Sequence, residues 1–198
     1  MKQPFDLIAH ADLTPFNSFA LSSRARYLYL LREASELREL FSWIRANQLP
    51  WLVLGGGSNV LLLEDFAGVV IINQLSGIVL EQTEDDHLLE VAAGEDWPSL
   101  VQWSVNHEVL GLENLALIPG TAGAAPVQNI GAYGVELADV CQSVEFFSIA
   151  DQQLKRLSQH QCEFAYRDSV FKHGLKDKAI ITRVKFRLTK QWQAKLNY

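Results

Sequence analysis

A chain of 198 residues that is 48% hydrophobic, 10% aromatic and 20% charged has enough apolar surface for a full core, which excludes a disordered polymer and fits one domain or two small lobes. The net charge of −6 hides a segregation, because no Lys or Arg occurs between Ala46 and Leu154 while that stretch holds 15 of the 23 acids. A segment without cations does not follow a nucleic-acid backbone, where affinity depends on Lys and Arg displacing counterions, so phosphate bound there must be held by backbone N–H groups.

The start, Met1 to Asp6, lacks a basic region followed by an apolar run, and no stretch approaches the ~18 apolar residues of a membrane span, so a soluble, cytoplasmic chain is expected. Arg26 to Leu31 reads as a strand. From Ser35 the spacing of Leu37, Leu40, Phe41 and Ile44 predicts a helix, stopped by Asn47 and Pro50. Trp51 to Leu54 follows as a short buried strand, giving a βαβ unit with Gly55-Gly56-Gly57 at its end, where α/β layers carry ligand loops.

Further strands are expected at Val60 to Leu63, Gly68 to Asn73, Ile78 to Gln82 and Leu88 to Ala92, broken by turn residues. Pro98 sits at a helix start, with Leu100, Val101, Trp103 and Val105 as its buried side and Gly111 beyond its end. Val140 to Ile149 and Ala179 to Leu188 read as long strands, and in the second Ile180, Val184, Phe186 and Leu188 alternate with Ile181, Arg183, Lys185 and Arg187, as in a sheet with one wet face. Cys141 and Cys162 form neither a C-x-x-C pair nor a disulfide framework and read as packing residues. His10, His87, His107, His160 and His173 show no metal-pair spacing and read as structural or solvent-facing.

Two glycine-rich stretches carry the chemistry. Gly55, Gly56 and Gly57, followed by Ser58 and Asn59, allow positive φ and close approach of a bulky anion to converging N–H groups. The spacing is neither G-x-G-x-x-G nor a P-loop, and an ordinary glycine-rich turn uses the same residues. The second, Pro119 to Gly134, packs four glycines, two prolines and two amides into one uncharged segment, with Gln128 and Asn129 as sources of directed hydrogen bonds. It also suits a tightly packed loop or a short helix starting near Val127. Together the two stretches point to a diphosphate or large planar ligand. Arg167, in Tyr166-Arg167-Asp168-Ser169, has the guanidinium fork that grips a carboxylate or steadies enolate charge, and alone it reads as a surface ion pair with Asp168.

These motifs, with Asn17-Ser18-Phe19, Gly111-Leu112-Glu113 and Ile118-Pro119-Gly120-Thr121, stand in an order that closely resembles the UDP-N-acetylenolpyruvoylglucosamine reductase family, Ser18 standing where the family more often has threonine. The resemblance implies an α+β, FAD-binding fold of the vanillyl-alcohol-oxidase (PCMH) type, with a small parallel βαβ lobe over residues 1–75 and a larger antiparallel lobe over 76–198. It implies FAD contacts from Gly55 through Asn59, from Pro119, Gly120, Thr121, Gly123, Ala124 and Ala125, from Gln128, Asn129, Gly131, Ala132, Tyr133 and Gly134, and from Ile181. Neither loop contains the histidine that covalent attachment uses, so non-covalent FAD is implied, with NADPH as hydride donor and an enolpyruvyl UDP-sugar of peptidoglycan synthesis as substrate. Arg167 matches the family's active-site arginine, with Tyr166 and Tyr198 on the substrate side. The family's proton-donating serine and partner glutamate, and its C-terminal substrate-binding domain, have no counterpart in these 198 residues, so a monomeric fragment that holds FAD without turnover is expected. The alternatives are a flavin-dependent oxidase or dehydrogenase of the same fold and a non-catalytic flavin-binding module.

Overall fold

The computed structural model describes residues 6–194. In chain order the elements are β1 (Ile8–Asp12), β2 (Arg24–Leu31), α1 (Leu37–Ala46), β3 (Trp51–Leu54), β4 (Phe66–Asn73), β5 (Ile78–Gln82), β6 (Asp86–Ala92), α2 (Trp97–Asn106), β7 (Gly131–Ala132), β8 (Val135–Glu136), β9 (Cys141–Ser148), β10 (Gln153–Ser158) and β11 (Ala179–Thr189). Two compact units are formed, Met1–Leu75 and Ser76–Tyr198.

In the first unit a four-stranded sheet has the order β1-β2-β4-β3. β2, β4 and β3 run parallel, and β1 runs antiparallel to β2. The periodicity of α1 buries the expected Leu37, Leu40, Phe41 and Ile44, and Phe41 meets Trp51 edge-on with centroids 5.1 Å apart. The expected βαβ unit is split, since β4 lies between β2 and β3. The reason lies in the side chains of β4: Val69, Val70, Ile71 and Ile72 are all buried, so this strand needs cover on both faces and takes an interior place, while the four-residue β3 stands at the edge. Val60 to Leu63 is not a strand. Leu61 and Leu63 are 59% and 81% exposed, and the run continues the glycine loop rather than joining the ladder.

The second unit is built on a five-stranded, wholly antiparallel sheet of order β10-β9-β11-β6-β5. Helix α2 packs on one face. Asp96 caps it by accepting from the Ser99 N–H at 3.0 Å, and Pro98 occupies its first turn. Its buried side is Trp97, Leu100, Val101 and Ser104; Val105, expected there, is 39% exposed. A polar residue serves at position 104 because its hydroxyl donates back to the Val101 carbonyl at 2.9 Å.

The core gathers Leu89, Val91, Trp97, Val144, Val184 and Phe186, with the Trp97 indole N–H donating to the Leu115 carbonyl at 2.8 Å. Along β11 the expected alternation holds from Val184 to Leu188. It breaks between Ile181 and Arg183, where a register shift against β9 leaves Ile180, Ile181 and Thr182 all buried. Asp86 and Arg187 tie β6 to β11 through two contacts of 2.7 and 2.6 Å. Cys141 and Cys162 are buried free thiols; desolvation pushes Cys162 up to about 12 and Cys141 higher still. Among the described residues no helix is long and apolar enough to cross a membrane, and no cluster of potential metal ligands occurs.

The core assignment carries a prediction for urea unfolding. Leu89→Ala, at a fully buried site, is expected to cost about 3 kcal/mol. Val105→Ala, on the outer side of α2, is expected to stay within about 0.5 kcal/mol of the parent.

Candidate functional site

Within the first unit, the Gly55–Asn59 loop leaves β3 and folds over the turn at residues 13–21. Asn17 is 7% exposed and organises that turn: its amide donates to the carbonyls of Leu13 and Leu21 at 3.0 Å each and accepts from the Leu21 N–H at 2.9 Å. The Ser18 N–H then donates to the Gly57 carbonyl at 3.1 Å. Gly57 has φ +64°, and a Cβ there would stand 2.0 Å from the Phe16 carbonyl oxygen, so both conformation and contact demand glycine. Among the described residues the N–H groups of Gly56, Gly57 and Ser58 meet no protein acceptor; Gly56 is exposed, Ser58 half-buried and Gly57 buried. Such successive open donors form an anion-binding concavity.

Within the second unit, the segment from Pro119 runs against the end of β6 and the start of α2. The Trp97 N–H donates to the Gly120 carbonyl (2.9 Å), the Ala122 N–H to Glu95 (2.8 Å) and the Gly123 N–H to Ala93 (2.8 Å). A Cβ on Gly123 would lie 2.5 Å from the Ala93 Cβ, which explains that glycine. The N–H groups of Gly120 and Thr121 meet no acceptor among the described residues. Residues Ala125–Gln128 form a 3-10 turn, so the short-helix expectation near Val127 holds in reduced form. Gly131–Ala132 and Val135–Glu136 then pair as a small hairpin around Tyr133 and Gly134, both at positive φ, with Tyr133 58% exposed and its carbonyl held by the Asn114 amide at 2.9 Å.

Asn129 sits in the left-handed region and is 1% exposed. Its Nδ2 donates to Glu136 Oε2 (2.8 Å) and the Ala165 carbonyl (3.0 Å), and its Oδ1 accepts from the Ala138 N–H (2.9 Å). The directed hydrogen bonds expected of this amide therefore go to the protein itself.

The Tyr166-Arg167 pair forms the tip of a tight turn closed by reciprocal 3.1 Å bonds between Ala165 and Asp168. Arg167 has φ +53°, in a place where Gly or Asn is usual, which is local strain of about 1 kcal/mol or more. Its guanidinium does not pair with Asp168, contrary to the simplest reading. One Nη2 donates to the Gly131 carbonyl at 2.7 Å, the group lies 5.9 Å from the Tyr166 ring centroid, and Asp168 binds His173 Nε2 at 2.7 Å instead. Both Tyr166 and Arg167 are exposed. The His173 hydrogen bond, chiefly, holds the Asp168 carboxyl below the usual aspartate range. Ser169 is buried, donates to the Val127 carbonyl at 2.7 Å and caps the turn that follows.

The second unit thus brings Arg167 against the Gly131–Tyr133 hairpin. Ile181 lies in the core beside the β11 register shift, and Tyr198 lies outside the described residues. Glu95, Asn114 and Glu136, which brace the second segment, carry little signal in sequence; only the Glu136-x-x-Asp139 spacing of a capping box was available.

Residues 25–158 match the FAD binding domain family, and the chain belongs to it. The fold is the PCMH type, pairing a small, mostly parallel sheet with a larger antiparallel one. Within that class the chain is homologous to UDP-N-acetylenolpyruvoylglucosamine reductase: it is 48% identical to the protein of that name from Photobacterium profundum over 97% of its own length and 56% of the relative's. It thus spans about half the length of the curated relatives it matches. Among solved structures it resembles the Thermus caldophilus reductase (TM-score 0.70, 29% identity, 92% of this chain and 61% of the other). A solvent-stable cholesterol oxidase shares the fold at TM-score 0.64 and 13% identity, over 96% of this chain and 40% of the other.

The residues present fit FAD, since open N–H donors at Gly56–Ser58 and Gly120–Thr121 occur in segments without a charged side chain.

Two measurements check this geometry. Gly123→Ala is expected to lower the thermal midpoint by several degrees, the change of a loss of about 2 kcal/mol, because Ala93 presents backbone as well as Cβ to the new methyl. For Asp168 a depressed carboxyl stabilises the folded turn fully above the ordinary aspartate range and loses that contribution as pH falls through the lowered value. NMR titration of its carboxyl carbon should therefore give a midpoint below an ordinary aspartate, and His173→Ala should return it upward.

Proposed function

We propose that this chain is the FAD-holding portion of an NADPH-dependent reductase that converts UDP-N-acetylglucosamine enolpyruvate to UDP-N-acetylmuramate for peptidoglycan synthesis in the cytoplasm. The observation that carries the reading is the 48% identity over nearly the whole chain, together with an exposed arginine held in a strained turn against the Gly131 carbonyl. Bound FAD would supply the hydride chemistry.

In this reading the protein's own groups orient and stabilise. The N–H groups of Gly56–Ser58 hold phosphate oxygens in the first unit, and those of Gly120 and Thr121 do so in the second, without a side-chain cation. A guanidinium has five N–H donors, and with one committed to Gly131 the rest of the Arg167 fork serves the substrate carboxylate and the enolic charge that develops beside it. Tyr166, 83% exposed, offers a ring face next to that fork. Ile181 and Tyr198 complete the proposed set, the first at the cofactor and the second over the nucleotide. FAD binding is non-covalent and the chain monomeric.

The test is the visible spectrum of the purified chain, with chromatography of whatever heat denaturation releases. A flavin band and free FAD in the supernatant are expected; a colourless protein that takes up no added FAD would refute the reading. With the substrate-binding domain of the full-length relatives supplied, NADPH oxidation dependent on the enolpyruvyl sugar, and abolished by Arg167→Ala, separates this reductase from an oxidase of the same fold.

A further inference from the structure

Four hydrogen bonds tie this part of the second unit together, and three of them are long-range, connecting the stretch 127–131 to the turn 165–169. Ser169 Oγ donates to the Val127 carbonyl (2.7 Å), Asn129 Nδ2 to the Ala165 carbonyl (3.0 Å), and Arg167 Nη2 to the Gly131 carbonyl (2.7 Å). The fourth ties Asn129 Nδ2 to Glu136 on the far side of the small hairpin at 2.8 Å.

Asn129 is the centre of this set. Both hydrogens of its amide nitrogen are used, its oxygen holds the Ala138 N–H, and the residue is 1% exposed. The residue itself is shielded from solvent, so displacing either neighbour leaves a buried donor to be re-paired at a cost. Its left-handed backbone, φ 43° and ψ 63°, is a conformation asparagine tolerates better than most residues, and it aims the amide toward both neighbours. Glu136 is held in turn, because its side chain accepts from the Asp139 N–H while its own N–H donates to the Asp139 carboxylate. The glycine-rich segment and the arginine turn are thus fastened to one buried amide.

We infer that Asn129, backed by Glu136, is a positioning residue that sets where Arg167 stands relative to the Gly131–Gly134 hairpin, so that the arrangement of the cofactor segment and the arginine are coupled. The role of the coupling rests on the preceding reading of FAD and Arg167, whereas its existence does not. Coupling of this kind is reciprocal: a ligand that orders the 119–134 segment orders Arg167, and loss of the amide loosens both.

The experiment uses the 198-residue chain labelled with 15N and reads the Arg167 Nε–H resonance, assigned by its disappearance in Arg167→Lys. In the parent chain this resonance is expected apart from those of solvent-exposed arginines, because the guanidinium is bonded to Gly131. Asn129→Gly keeps the left-handed backbone accessible and removes the amide. With backbone amide dispersion otherwise intact, it should move the Arg167 resonance into the exposed group and weaken FAD binding about tenfold. An unmoved Arg167 resonance in folded Asn129→Gly overturns the inference whatever happens to FAD. Should Asn129→Gly not fold, Glu136→Ala decides the matter, since it removes the acceptor of the Asn129 amide: a shift in the same direction supports the coupling and an unmoved resonance overturns it. If the parent itself takes up no FAD, the functional reading falls while the resonance still decides this one.

Discussion

The second unit depends on how closely two stretches of backbone approach each other, Ala93–Trp97, which leads from β6 into α2, and the segment Gly120–Gly123. Three N–H to carbonyl bonds cross between them, and they are possible only because position 123 lacks a Cβ that would otherwise meet Ala93 at 2.5 Å. Much else follows from this contact. It forms an isolated antiparallel bridge between Asp96 and Thr121, places the Asp96 cap of α2, and leaves the N–H groups of Gly120 and Thr121 without an acceptor among the described residues. The β11 register shift lies at the same place, with the Thr182 carbonyl accepting from the Ala93 N–H at 2.9 Å. A bulge beside a ligand segment is a common way to end pairing and re-aim a strand.

The first unit solves a similar problem by another route. Its glycine loop has no strand to lie on, so the turn at residues 13–21, locked by Asn17, provides the floor against which Gly57 packs. Both loops are therefore shaped from beneath by backbone contacts, which leave several of their N–H groups without a protein partner among the described residues. Arg167 depends on the same architecture one step removed. Its turn is pinned through Ala165, Ser169 and its own guanidinium to carbonyls and amides of the stretch that follows Gly123.

Much of this was legible in the sequence because it rests on local signals. The spacing of Leu37, Leu40, Phe41 and Ile44, the Pro98 helix start and the alternation from Val184 to Leu188 each report a single element's exposure pattern. The two glycine-rich stretches stood out through composition alone. What escaped depends on pairing. Nothing in the order of β2, α1 and β3 announces that β4 inserts between the strands; only its two-sided burial does, and that is known once the sheet exists. Val60 to Leu63 is apolar enough for a strand but has no ladder to join. The partner of Arg167 was misread for the same reason: Asp168 is its neighbour in sequence, yet the turn sends the two side chains to Gly131 and His173 respectively. Likewise the Asn129 amide, attractive as a ligand contact, is spent on groups up to 36 residues away.

Between Pro119 and Gly134 there is no Asp, Glu, His, Lys or Arg, and in the proposed reading the main chain supplies the grip. A grip made of peptide groups has no charge to be screened and none to be titrated away. In the proposed reading its strength is set by shape, and the shape rests on residues whose contacts are with the protein itself, such as Ala93, Asn129 and Glu136. Drift in the sequence of this segment is therefore constrained less by contact chemistry than by volume: a single methyl group in the wrong place does more damage than the exchange of one polar side chain for another.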